Sequence, residues 1–120
     1  MPITFAPDVL RQRLLVEGHY RLDSVDEAAI RAAFAFVTGR LALRAYGEPI
    51  IFSPGGEGRA DNQGYDAFLP LIDSGICLYV WTQKRFVSSI LYTCKTFDEA
   101  AAVSAYRDFF DLSDFDVRSF

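Results

Sequence analysis

Apolar residues recur along the chain in two rhythms, a spacing of two that marks strands and a spacing of three to four that marks helices. Residues 10–17, Leu-Arg-Gln-Arg-Leu-Leu-Val-Glu, read as a first strand ending near Gly18-His19-Tyr20. Ser24-Val25-Asp26-Glu27 has the form of a capping box, and Ile30, Ala33, Phe34, Val37 and Leu41 follow at helical spacing. A second strand is expected from about Leu43 to Phe52, broken by Gly47 and Pro49, before the loop Ser53-Pro54-Gly55-Gly56-Glu57-Gly58-Arg59. Three strands then come close together, at Ala67–Ile72, Ile76–Trp81 and Phe86–Cys94, separated by Asp73-Ser74-Gly75 and by Gln83-Lys84-Arg85. A second capping box, Thr96-Phe97-Asp98-Glu99, opens a helix whose stripe is Ala102, Val103, Tyr106, Phe109 and Phe110. Phe115-Asp116-Val117-Arg118 alternates like a final edge strand. The order β-α-β-β-β-β-α-β predicts an α+β fold, a two-layer sandwich in which two helices cover one face of a single, mainly antiparallel sheet. Residues 1–120 are expected to form one domain.

Composition supports a packed core: 51% of residues are hydrophobic and 23% charged. So much apolar surface on 120 residues suggests that part of it is covered by a second copy of the chain, and a homodimer is expected. The net charge of -4, with basic residues scattered, argues against a nucleic-acid partner. No apolar stretch approaches a membrane span, and Met1-Pro2-Ile3-Thr4-Phe5 does not resemble a signal peptide, so a cytoplasmic location is expected. Cys77 and Cys94 are too few for a disulfide framework and are not spaced as metal ligands, so reduced thiols and no metal are expected. His19 reads as a structural hydrogen-bonder. The Gly-rich loop lacks the Gly-Lys-Ser/Thr ending of a phosphate cradle and reads as a flexible rim.

The segment Asp73-Ser74-Gly75-Ile76-Cys77-Leu78-Tyr79-Val80-Trp81-Thr82-Gln83 and the downstream Thr93-Cys94 carry the candidate chemistry. Together they resemble the processing segment and the Thr-Cys strand end of the prokaryotic S-adenosylmethionine decarboxylases. Ser74, Trp81 and Cys94 are the motif-grade matches, and the interval from Ser74 to Cys94 is the family's own. Leu15-Val16, Tyr20 and Asp23 fit its opening strand.

The resemblance implies that Ser74 attacks the carbonyl of Asp73, that the chain is cut between them, and that Ser74 becomes a pyruvoyl group, the only cofactor. It further implies Cys94 as general acid after decarboxylation and S-adenosylmethionine as the small-molecule substrate, for spermidine synthesis. By position, Tyr79 stands where the family has the histidine that drives processing, Gly75 where it has another histidine, and Asp66 where it has a serine that helps cleavage. Gln83 replaces the glutamate that binds the ribose, and Phe52 lies near an aromatic residue that stacks on adenine. A phenol with an ordinary pKa near 10 is a poor base at neutral pH. A neutral amide accepts hydroxyl hydrogen bonds less strongly than a carboxylate. These replacements leave two other readings: an unprocessed relative acting as a binding or regulatory module, and a pyruvoyl decarboxylase of another amino acid. Taken alone, Ser74 reads as a turn residue and Cys94 as a buried core thiol.

Overall fold

The computed structural model describes residues 5–53 and 55–120; Met1–Thr4 and Pro54 lie outside them. Six strands, β1 (Gln12–Tyr20), β2 (Ile50–Phe52), β3 (Gly64–Leu71), β4 (Ser74–Trp81), β5 (Phe86–Thr93) and β6 (Leu112–Ser119), form one sheet in the order β2-β3-β4-β5-β1-β6. Every neighbouring pair is antiparallel. Two helices, α1 (Glu27–Leu41) and α2 (Glu99–Phe110), pack on one face, giving the expected α+β sandwich. No helix among the described residues is long and apolar enough to cross a membrane.

The register explains why one face is dry. Leu69, Ile76, Leu91 and Leu14 pair in succession across four strands, a continuous apolar row under the helices. Each is at most 4% exposed, and burying a side chain of this size contributes roughly 1.5–3 kcal/mol. Ile30, Phe34 and Val37 of α1 and Ala102, Tyr106 and Phe110 of α2 close the core from above. Inside it Tyr106 and Ser89 share a hydrogen bond of 2.8 Å, and the Ser89 hydroxyl donates to the Cys77 carbonyl at 2.7 Å. Burial pushes the Tyr106 phenol far above its usual pKa, so it stays protonated.

Several boundaries differ from those read in the sequence. The cap of α1 is Asp26 rather than Ser24: its extended backbone lets the carboxylate accept from the Ala29 amide at 2.8 Å. Glu27 is therefore the first helical residue and has no reciprocal capping role. Likewise α2 is capped by Asp98, not Thr96, through the Ala100 and Ala101 amides. The strand expected over 43–52 shrinks to Ile50–Phe52, with Ala45 bridging to Leu71 separately, because Gly47 and Pro49 interrupt the ladder between them. Within the Gly-rich segment the chain makes short 3-10 turns at Gly55–Gly58 and Ala60–Asn62. Ser74 opens β4 instead of belonging to the turn, whereas β6 lies at a sheet edge as expected.

Candidate functional site

Antiparallel pairing brings the two ends that matter together. β3 and β4 form a tight hairpin in which Leu71 pairs with Ser74, leaving only Ile72 and Asp73 to turn the chain. Asp73 has φ +55°, in the left-handed region that costs an L-residue roughly 1–2 kcal/mol. On the other side β5 returns antiparallel to β4, with Gly75 opposite Tyr92, and delivers Cys94 beside Ser74. The Cys94 amide donates to Ser74 Oγ at 3.0 Å. The Thr93 hydroxyl donates to the Lys95 carbonyl and holds this bend. Asp73, Ser74 and Cys94 thus form one cluster, with the Ser74 oxygen oriented by a backbone donor.

The remaining candidates do not join it within one chain. Tyr79 lies five residues along β4, roughly 16 Å at the usual strand rise, with its side chain on the opposite face from that of Ser74. Phe52, Asp66 and Tyr79 pair in succession across β2, β3 and β4, and the row continues through Ser88 and Glu17 to Asp116 on the sheet face that no helix covers. Ser88 donates to the Glu17 carboxylate at 2.8 Å. The Cys77 side chain, then partial burial, then the Asp66 carboxylate push the Tyr79 phenol above its usual 10. That is opposite to what a base acting at neutral pH requires. Gln83 is exposed in the turn at the far end of β4. His19, on the same uncovered face, pairs with Asp114 at 2.9 Å and makes a structural contact with the Phe86 ring, at 5.5 Å between centroids. Among the described residues no group of three or more His, Cys, Asp and Glu gathers as metal ligands would.

Two features beside Ser74 were not singled out in the sequence. An open cavity of about 310 Å³ is lined by Phe68, Asp73, Ser74, Gly75, Cys77, Ile90 and Tyr92. Phe68 and Tyr92 sit on the strands flanking β4, each 38% exposed, and their positions on the uncovered face follow from period-two parity. On the other side of Ser74 a shallow notch is bordered by Arg44 and Lys95. Neither cation forms a salt bridge among the described residues.

No family model matches the sequence, and no curated protein matches it significantly. Among solved structures, the adenosylmethionine decarboxylase from Aquifex aeolicus VF5 is similar in fold, with a TM-score of 0.70 over 93% of this chain and 89% of that one. The two are 17% identical in sequence, a likeness that establishes a shared fold.

Proposed function

We propose that this chain is a pyruvoyl-dependent decarboxylase on an adenosylmethionine decarboxylase-like fold, with Ser74 as precursor of the pyruvoyl group and S-adenosylmethionine or a related amino acid as substrate. The observation that carries the reading is the hydrogen bond from the Cys94 amide to Ser74 Oγ, made directly after the strained Asp73. A hydroxyl oxygen fixed by a backbone donor next to a backbone that gains by relaxing suits attack on the preceding carbonyl.

In that attack Ser74 Oγ forms an ester with the Asp73 carbonyl carbon as the Asp73–Ser74 peptide C–N bond breaks, and the hydroxyl proton passes to the freed Ser74 amine. A base then removes the Ser74 α-proton, the Cβ–Oγ bond breaks and Asp73 leaves as a carboxylate. Water replaces the remaining nitrogen, released as ammonia. When present, the pyruvoyl carbonyl supplies the electron sink for decarboxylation. Cys94, whose backbone amide meets Ser74 Oγ, is the acid we assign to return a proton to the substrate carbon.

The α-proton acceptor is the open part of this chain's machinery. Tyr79, Asp66 and Phe52 cannot reach Ser74 of their own chain. The uncovered face that holds them is rich in exposed aromatics, with Phe52 64% and Phe68 38% exposed. A homodimer packed through this face would bury those rings.

Intact mass and a denaturing gel test the proposal. The expected result is fragments of 73 and 47 residues, abolished by Ser74→Ala. Cys94→Ala should spare cleavage and impair turnover. Light scattering at micromolar concentration should give the mass of a dimer. An uncut chain without a hydrazine-reactive carbonyl refutes the enzyme reading. The raised pKa of Tyr79 favours a second reading for that outcome, an unprocessed binding module.

A further inference from the structure

On the helix side of the sheet the chain leaves α1 and turns back along β3. Ala42 closes the helix in the left-handed region, and the Leu43 amide returns to the Thr38 carbonyl. Ala45 then bridges to Leu71, and the Tyr46 amide donates to the Pro70 carbonyl at 2.7 Å. Residues 42–49 therefore form a strap held to β3, and the strap and α1 do not close on each other. Between them lies an open cavity of about 340 Å³. Phe34 of α1 and Leu69 of β3, both buried and continuous with the core, give it an apolar lining, with Ala35 added from the helix and Pro49 from the strap. A Cβ built on Gly47, which also lines the cavity, would meet nothing within 4 Å, so the strap is unpacked there.

Arg31 of α1 and Glu48 of the strap both line the cavity and meet at 3.5 Å, so their contact bridges helix and strap. Glu27, one turn earlier on α1, approaches Arg31 at 3.7 Å. Both contacts are long and the Glu48 side chain is 91% exposed; ion pairs of this kind add little stability and open readily. The Thr38 hydroxyl donates to the Phe34 carbonyl at 2.8 Å, so it can serve a ligand only as an acceptor. One cation between two carboxylates disfavours a simple anion, and the guanidinium disfavours a simple cation. A molecule carrying both charges meets neither objection.

We propose that this cavity is a binding site for a zwitterionic amino acid with an apolar side chain, its carboxylate on Arg31, its ammonium on Glu48 and its side chain against Phe34 and Leu69. An inserted zwitterion replaces the single Arg31–Glu48 contact with two charge-assisted pairs and covers apolar surface that the strap leaves open. The volume lies within the roughly 300–1,000 Å³ of small-molecule pockets. The cavity shares no lining residue with the cavity and the notch beside Ser74, so the inference does not rest on cleavage there.

Isothermal titration with amide NMR on the wild-type chain tests it, with L-leucine as the probe. Isocaproate is the same molecule without the ammonium, isopentylamine the same without the carboxylate, and glycine lacks the side chain. L-Leucine should bind at least about tenfold tighter than each of these, because each forfeits one of the three contacts. It should also shift the amides of Arg31, Ala35, Thr38 and Glu48. Arg31→Gln and Glu48→Gln, both at exposed positions, should each weaken binding about tenfold. Ala35→Leu, on the exposed wall of the cavity, should fill the space and abolish binding with Tm unchanged, so the inference does not hang on a variant that disturbs the fold. Absence of saturable L-leucine binding, equal affinity for any of the three truncated probes, binding undiminished in both charge variants, or binding retained in Ala35→Leu overturns it. A chain that binds L-leucine but never cleaves removes the enzyme reading and leaves this site standing.

Discussion

The Tyr106–Ser89–Cys77 chain of hydrogen bonds predicts an asymmetry between two variants that each remove one oxygen. Ser89 gives its proton to the Cys77 carbonyl, so the Tyr106 hydroxyl must donate to Ser89 Oγ. Tyr106→Phe removes that donor and leaves Ser89 still bonded, a loss of about 0.5–1.5 kcal/mol. Ser89→Ala strands the Tyr106 hydroxyl in a fully buried site and also takes a donor from the Cys77 carbonyl. The desolvation penalty of an orphaned buried group raises this cost to about 2–4 kcal/mol. Once Ser89 is alanine, removing the stranded hydroxyl relieves the penalty, so the double variant should be no less stable than Ser89→Ala alone. The coupling should be at least as large as the Tyr106→Phe loss itself, about 0.5–1.5 kcal/mol. Urea unfolding of the four proteins supplies the measurement, and a chain of this length should lose about 3–6 °C in Tm per kcal/mol. Additive losses, or a larger loss for Tyr106→Phe, would show that the bond runs the other way or does not form.

Two further predictions concern the caps and the sheet edge. Asp26→Ala and Asp98→Ala should each cost about 1 kcal/mol in chemical denaturation, while Ser24→Ala and Thr96→Ala should cost under about 0.3 kcal/mol; equal losses would restore the capping boxes. Hydrogen bonding to His19 lowers the Asp114 pKa from its ordinary 3.8. A carboxyl whose folded pKa is depressed adds stability above its unfolded pKa, and that part is lost as pH falls through the folded value. Stability should therefore fall less steeply below pH 3.8 in Asp114→Asn than in the wild type, and identical slopes would remove the role of the His19 contact.

Period-two alternation made the sheet legible. The core strands present mainly apolar residues to the helices, interrupted on β5 by the buried Ser89 and Thr93, and the antiparallel hairpins follow from the short turns between them. The caps were misread because two acceptors compete within each four-residue segment, and only backbone direction decides that Asp26 and Asp98, not Ser24 and Thr96, face the free amides. At the site, the spacing of Ser74 and Cys94 carried real information: two adjacent strands of eight residues and a short turn return the second residue to the first. The same arithmetic separates Ser74 from Tyr79, since an odd offset along a strand turns the side chain to the other face. The packing of Phe68 over Gly75 was invisible because the glycine contributes no side chain and the ring that covers it comes from a neighbouring strand.

The hairpin that carries Asp73 and Ser74 has a consequence for what a cut there would make of the molecule. The two strands it joins pair at eight successive positions, from Gly64 with Trp81 to Leu71 with Ser74, so severing the turn frees no fragment. It changes the molecularity of unfolding instead. An intact chain unfolds at a midpoint independent of its concentration, whereas a nicked one dissociates as it unfolds, and its midpoint rises with concentration by mass action. β1, β2, β3 and α1 would belong to one piece and β4, β5, β6 and α2 to the other, interleaved in a single sheet by β1 lying between β5 and β6. Neither piece keeps a complete core, so a nicked molecule persists only as a mutual complex.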